Sequence, residues 1–194
     1  MRIGLLLASS RFVPQLAADV RHWIGRGLAD IDHRLVVEAT PYNESPFQVR
    51  DKLQRLMVAE EADIVVAPLG AGMLPRVADL AAGQQVPLLA LTMGEDICRG
   101  DTVPPSVFVV SFGLWRSAWL TGRMAAERFG PRICIVSAAH ESGYGLNFAV
   151  ALGVESAGGT VAATIPAPTA PDAAGASEPV ERAVALAPDG IGKV

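Results

Sequence analysis

Two short apolar runs that flank a helical segment constrain the possible fold of this chain more than any other feature. The runs are residues 64–67 (IVVA) and 87–91 (PLLAL), and between them apolar residues recur at helical spacing from Leu74 to Ala81. A strand without a solvent-facing side is typical of a parallel sheet covered on both faces. The stretch is therefore predicted to form a βαβ unit, whose crossover is right-handed.

The same alternation of strand and helix patterns continues along the chain. The predicted strands cover residues 2–8, 35–39, 64–67, 87–91, 107–110, 133–136 and 161–165. This order predicts an α/β fold with parallel sheets. Because a helix over 114–129 ends at Gly130-Pro131 and the pattern then restarts, we expect two α/β lobes, formed by residues 1–129 and 130–194.

Composition changes after the last of these strands. Residues 166–179 contain four prolines and no large apolar side chain. They are predicted to form an extended loop. A short helix over 180–186 and a strand-like segment from Asp189 follow.

The overall composition excludes several classes of protein. The chain is 51% hydrophobic and 19% charged, with a net charge of −4, so a sizeable core is expected. No block of Lys and Arg predicts nucleic-acid binding, and no apolar run is long enough to insert in a membrane. Cys98 and Cys134 lack metal-site spacing and are expected to be free thiols. No cofactor and no metal are predicted.

Several segments, in order, resemble those of one family: IGLLLASS, PYNESPFQVRDKLQRLM, EADIVVAPLGAG, VPLLALTMGED, SVFVVSF, RICIVSAAHESGYGLNF, AGGTVAAT and APDGI. The family is the type I periplasmic binding proteins, in the branch of amino-acid receptors of ABC transporters that bind leucine, isoleucine or valine. EADIVVAPLGAG, for example, is similar to the family's D-V-x-x-I-x-G-P-x-x-S. The sequence departs from the family at Gly70-Ala71-Gly72, where Ser or Thr is usual.

This resemblance implies two Rossmann-like lobes that close by hinge motion around an amino acid or related small carboxylate held between them. It implies an ABC permease as partner, a periplasmic location and no enzymatic activity. It also implies that the chain is truncated within the second lobe. We therefore expect the apolar face of Val180, Val184 and Leu186 to be uncovered, and these 194 residues to bind ligand weakly.

Candidate ligand-binding residues follow the predicted strands, because ligands of open parallel sheets lie outside the carboxyl ends of the strands. They are Ser9, Ser10, Phe12, Gly70, Ala71, Gly72, Thr92, Met93, Gly94 and Tyr144. Gly70-Ala71-Gly72 precedes a helix, whose N-terminal N–H groups favour a carboxylate, although a tight turn also requires glycine. Tyr144 matches the family's Y-G, and a loop tyrosine is the alternative.

Other conspicuous residues favour structural roles. Trp115 and Trp119 have the spacing of a core stripe. The acidic residues Glu95, Asp96 and Asp101 are more typical of a solvated loop than of a cation site. His140 lies beside no visible nucleophile and is interpreted as a solvated loop residue.

Two alternatives to a transport receptor stay open. The absence of a signal peptide favours a cytoplasmic sensor lobe of a regulator, or a mature receptor cloned behind a new start Met. An α/β enzyme such as a racemase, with Cys98 or His140 as base, is opposed by the lack of G-x-S-x-G and of G-x-G-x-x-G after the first strand.

Overall fold

Strands and helices alternate throughout the described part of the chain. A computed structural model describes residues 1–9, 14–41, 45–70, 72–95, 103–138, 145–168, 173–186 and 189–193. The strands are β1 (Arg2–Ser9), β2 (Arg34–Pro41), β3 (Ile64–Pro68), β4 (Leu88–Thr92), β5 (Val107–Ser111), β6 (Arg132–Ala138), β7 (Thr160–Ala167) and β8 (Gly190–Lys193). The helices are α1 (Leu16–Gly27), α2 (Pro46–Gln54) with a π-helical continuation (Arg55–Ala59), α3 (Leu74–Gln84), α4 (Leu114–Phe129), α5 (Gly145–Ser156) and α6 (Ala173–Ala185).

The strands form two parallel sheets. The first has five strands in the order β2-β1-β3-β4-β5, and the second has three in the order β7-β6-β8. All of the strand pairs are parallel. The predicted α/β fold, with the strands before and after Gly130 in separate sheets, is confirmed.

The first unit runs from Met1 to Met93 and includes β5. Alternate residues of β1 lie on opposite faces of the sheet. Leu5 belongs to a cluster with Ile24 of α1 and with Leu28, which follows α1, whereas Leu6 belongs to the larger cluster formed with α2 and α3. Both Leu5 and Leu6 are fully buried. The continuous apolar run of β1 is explained by these two covered faces.

The second unit contains Gly94, Glu95 and the chain from Gly113 onward. It includes α4, which packs closely against α5. The boundary expected at Gly130 would separate these two helices. Gly130 instead forms the turn between α4 and β6, with a φ of +118° that favours glycine. Gly122, in the middle of α4, lies at the contact with α5.

The two units repeat one arrangement of strands. Asp189 follows Asp63 by 126 positions (189 − 63), and the same offset relates the first residues of β2 and β7, Arg34 and Thr160. Each sheet places the first strand of its unit between the second and the third. The first residues of β1 and β6, Arg2 and Arg132, are 130 positions apart, so the offset differs between elements. We call strands that occupy the same place in the two sheets counterparts. The repeat shows that the second unit is built like the β1–β3 half of the first.

The same aspartate bridge joins two strands in each unit. In the first unit the Arg2 backbone N–H donates to Asp63 Oδ2 at 2.7 Å, and the Asp63 N–H donates to the Arg2 carbonyl at 2.8 Å. In the second unit the Arg132 N–H donates to Asp189 Oδ2 at 2.9 Å, and the Asp189 N–H donates to the Arg132 carbonyl at 2.7 Å. Each aspartate therefore fixes the start of one strand beside the start of its neighbour.

Helix α6 corrects the prediction of an extended loop over residues 166–179. Strand β7 continues to Ala167, and α6 begins at Ala173 with Pro179 inside it. An interior proline costs a helix about 3 kcal/mol. Here Pro179 is buried, and Ala183 lies in the cluster formed with β6 and β7. Tertiary packing of this face therefore outweighs the local signal of proline.

The outer face of α6 agrees with the expectation. Val180, Val184 and Leu186 are all exposed.

Trp115 and Trp119 on α4 do not form the predicted core stripe. Both are only half-buried, each beneath an arginine side chain, so they lie at the margin of the core.

Candidate functional site

The carboxyl ends of β1, β3 and β4 form one edge of the five-stranded sheet. These strands are parallel and adjacent. Ser9 ends β1, Gly70 and Gly72 follow β3, and Thr92 and Met93 lie at the end of β4. Five of the ten predicted ligand-binding residues therefore lie along the same edge of the first unit.

Ser9 and Thr92 differ in how accessible they are to a ligand. Ser9 is exposed, and its hydroxyl donates to the Thr40 carbonyl at 3.3 Å. The Thr92 side chain is buried, and its carbonyl accepts from the Phe112 N–H at 3.2 Å. Ser9 is therefore available at the surface of the edge, whereas Thr92 contributes to the layer beneath it.

The loop after β3 leads directly into α3. The Gly70 carbonyl accepts from the Met73 N–H at 2.9 Å, which closes the turn. A Cβ atom at Gly72 would meet nothing within 4 Å, so that position faces open space. The first turn of α3 contains no acidic residue. The partial positive charge of the helix N-terminus is thus free to attract an anion such as a carboxylate.

Gly94 belongs to the second unit and has a structural role there. Its φ is +74°, and its carbonyl accepts from the Trp115 N–H at 2.7 Å. The glycine therefore provides a left-handed turn and fixes the start of α4.

Four of the predicted residues lie outside the described part of the chain: Ser10, Phe12, Ala71 and Tyr144. The same holds for Cys98, His140, Asp96 and Asp101. The structure gives no placement for any of them, and their roles stay predictions.

The structure contradicts the interpretation of Glu95 as a solvated loop residue. Its side chain is buried, with 3% of the residue exposed. No pattern around Glu95 predicts this burial, because hydrophobic periodicity ends at Thr92.

Among the described residues, no group of three or more His, Cys, Asp or Glu side chains is placed to hold a metal ion. Cys134 is a buried free thiol, as expected.

A groove beside α1 is a second concave feature, which sequence reasoning missed. It has a volume of about 790 Å³. Its lining includes the apolar Leu7 and Leu35 and, from α1, the polar Arg21, His22 and Arg26. A lining that combines apolar side chains with two arginines can hold an anion that has an apolar body. The signal in the sequence is the set of polar residues Arg21, His22 and Arg26 in α1.

A family model described as periplasmic binding protein matches residues 32–193. No curated protein sequence matches the chain. Among the described helices, none has the length and apolar character required to cross a membrane.

Solved structures match the chain over its whole length. One is a substrate-binding protein of an ABC transporter from Sphaerobacter thermophilus, with 19% identity, a TM-score of 0.76 and 54% of that chain covered. Another is a leucine-binding protein from Thermotoga maritima, with 14% identity, a TM-score of 0.70 and 55% covered. A third is a solute-binding protein of an ABC transporter from Rhodopseudomonas palustris in complex with p-hydroxybenzoic acid, with 15% identity, a TM-score of 0.73 and 53% covered.

These matches share the fold of the chain, and the chain spans about half of their length. The family match covers β2 through β8, and therefore strands of both sheets. It includes the two bridging aspartates and the edge residues that follow β3 and β4. The chain belongs to the periplasmic binding protein family.

Proposed function

We propose that this chain acts in the substrate-binding component of an ABC transporter and that its ligand is a small carboxylate, either an amino acid or an aromatic acid. Similar folds support this proposal: one comes from a leucine-binding protein and another from a protein in complex with p-hydroxybenzoic acid. Both of those ligands carry a carboxylate. An ABC permease is the proposed partner and the periplasm the proposed compartment.

The observation that carries the proposal is the edge formed by β1, β3 and β4. It combines the exposed Ser9 hydroxyl with the open space at Gly72 and the N-terminus of α3. A hydroxyl group and backbone N–H groups are the donors that a carboxylate requires. The Ser9 hydroxyl would exchange its hydrogen bond to the Thr40 carbonyl for one to the carboxylate. We propose Ser9, Gly70 and Gly72 as the residues nearest the carboxylate, with Met93 beside its apolar part.

Met93 suits that second role because its side chain is exposed at the end of β4. A flexible thioether packs against aliphatic and aromatic surfaces alike. We propose that Ser10, Phe12, Ala71, Thr92, Gly94 and Tyr144 complete the site as their positions after the strands imply. The two compact units are proposed to be the two lobes of the receptor.

Amide chemical shifts of the 194-residue protein test this proposal at the weak affinity expected. Leucine, benzoate and p-hydroxybenzoate are each added to the protein in turn, up to millimolar concentrations. At least one ligand should shift the amide signals of Ser9, Gly70, Gly72 and Met93, and Ser9→Ala should reduce the affinity about threefold to tenfold. The variant Ser156→Ala, at the end of α5, serves as the control and should leave the affinity unchanged.

Two results would contradict the proposal. One is the absence of any shift at those four residues with every ligand. The other is a shift confined to Arg21, His22 and Arg26, which would place the carboxylate in the groove beside α1 instead.

A further inference from the structure

The groove beside α1 is elongated. Leu7 of β1 and Leu35 of β2 both line it. Leu7 pairs with Ala39 and Ile3 pairs with Leu35, so the two leucines are four positions apart along the paired strands (39 − 35). At about 3.3 Å per residue, the lining covers about 13 Å. A volume of about 790 Å³ over this length is enough for a small molecule with an extended chain.

Small residues of α1 leave this space open. Ala18 and Gly25 line the groove seven positions apart, and Ala29 lines it four positions farther on, in the turn after α1. This spacing is that of one flank of a helix. A Cβ atom at Gly25 would meet nothing within 4 Å. Because these residues are small, α1 does not fill the space beside β1 and β2.

The apolar part of the lining is aliphatic. It consists of Leu7, Leu35 and three alanines, and none of the described lining residues is Phe, Tyr or Trp. Leu35 is half-buried, and Ala18 and Ala29 are exposed, so a ligand can reach this surface. Such a surface has no ring that could stack on an aromatic ligand. The lining therefore favours an alkyl chain as the apolar part of a ligand.

The polar part of the lining is cationic. It consists of Arg21, His22 and Arg26, which are all exposed. No Asp or Glu occurs among the lining residues that the structure describes. In the described part of the chain, neither arginine forms an ion pair. Although the chain has a net charge of −4, this lining is positively charged and attracts an anion.

The two arginines suit a carboxylate in particular. The Arg26 guanidinium lies 5.5 Å from the centre of the Trp23 ring. A guanidinium above a ring keeps its N–H donors in its own plane, where a carboxylate can accept two of them at once. A carboxylate at the groove would therefore gain hydrogen bonds without displacing an acidic side chain.

We propose that the groove is a second binding site, which takes an aliphatic carboxylate with an extended alkyl chain. The alkyl chain lies along Leu7, Ala18 and Leu35. The carboxylate accepts hydrogen bonds from Arg21 and Arg26. The groove lies between α1 and the first two strands, and none of its described lining residues belongs to the edge formed by Ser9, Gly70, Gly72 and Met93. The proposal is therefore independent of the ligand proposed for that edge.

Titration of the 194-residue protein with octanoate tests the site, with amide chemical shifts as the readout. Octanoate should shift the signals of Ala18, Arg21 and Gly25. The affinity should rise about twofold to fourfold per methylene from hexanoate to octanoate, because each methylene removes apolar surface from water. The uncharged 1-octanol should bind at least about tenfold more weakly, since it lacks the carboxylate.

Two glycine substitutions test the position of the alkyl chain. Gly25→Leu and Gly27→Leu both add a side chain where a Cβ atom meets nothing within 4 Å, but only Gly25 lines the groove. Gly25→Leu should fill the groove and reduce the affinity for octanoate at least about tenfold. Gly27→Leu should leave the affinity unchanged.

Two arginine substitutions test the position of the carboxylate. Arg26 and Arg128 each lie in the last turn of a helix and beside an aromatic ring, Trp23 and Phe129 respectively. Only Arg26 lines the groove. Arg26→Gln should reduce the affinity for octanoate about threefold to tenfold, and Arg128→Gln should leave it unchanged.

Three results would overturn the proposal. The first is an affinity for octanoate that does not depend on chain length, or that changes equally in the two variants of either pair. The second is a set of octanoate shifts confined to Ser9, Gly70 and Gly72, which would assign the ligand to the edge alone. The third is binding to vesicles of phosphatidylglycerol without binding of octanoate, which would assign the arginines to a membrane surface.

Discussion

Gly122 and Gly153 lie where α4 crosses α5, and neither position has room for a side chain. A Cβ atom at Gly122 would lie 2.0 Å from the Val150 carbonyl oxygen, and one at Gly153 would lie 2.0 Å from the Trp119 carbonyl oxygen. The two helices therefore pack backbone against backbone. This contact assigns α4 to the second unit.

We expect Gly122→Ala and Gly153→Ala each to destabilise the protein by at least about 2 kcal/mol, because the clash is with backbone atoms that cannot rotate away. Urea unfolding followed by circular dichroism measures the change. Gly25→Ala in α1 is the matched control, since its added Cβ meets nothing within 4 Å. The control should stabilise the protein by about 0.5 kcal/mol through helix propensity. Equal stability of all three variants would contradict the close crossing.

Asp63 and Asp189 occupy equivalent positions and should contribute similarly to the stability of their respective units. Each accepts a backbone N–H through Oδ2, at 2.7 Å and 2.9 Å respectively. Replacement of either by alanine should cost about 1–2 kcal/mol, and replacement by asparagine should cost less because the amide oxygen can still accept. Thermal unfolding of the four variants measures these costs. If the asparagine and alanine variants lose the same stability, the oxygen acceptor at these two positions does not contribute to it.

The ion pair between α2 and α3 makes stability depend on pH. Arg50 Nη1 lies 2.7 Å from Asp79 Oδ1, and this hydrogen bond holds the pKa of Asp79 below its usual value of 3.8. Because the folded pKa is the lower one, the stabilisation is present above about pH 4 and is lost as the pH falls through the folded pKa. The stability difference between the protein and Asp79→Asn should therefore shrink between about pH 5 and about pH 2.

Arg50→Gln provides the control for that measurement. It removes the other partner, so it should show the same dependence on pH, and the double variant should lose no more than either single variant. Additive losses would show that the two side chains act independently.

Strand β8 should exchange its amide hydrogens faster than β3, its counterpart in the first unit. Strand β3 pairs with β1 on one side and β4 on the other, whereas β8 pairs only with β6 among the described strands. A strand paired on one side opens more readily than a central one. Hydrogen exchange followed by NMR measures this. Equal protection of Ile64 and Ile191 would contradict the prediction and would indicate that β8 is covered as well as β3.

Much of the fold could be predicted from local patterns. The continuous apolar runs of β1, β3 and β4 predict buried parallel strands, and the Gly130-Pro131 break predicts a second sheet. Both features are confirmed. The candidate site could be predicted in part, because five of its residues follow adjacent strands and share one edge. The burial of Thr92 and Glu95 could not be predicted, since it depends on how the chain leaves β4.

The sequence by itself determined which segments form strands, in what order, and that they are parallel, because periodicity and turn residues act over a few neighbouring positions. Only the tertiary structure decided which elements contact each other across longer separations. It placed α4 against α5 through two glycines, extended α6 through Pro179, and left Phe108 and Val110 exposed on a strand whose first four residues are apolar. Each of these outcomes depends on a partner distant in sequence, and no local pattern contains that partner.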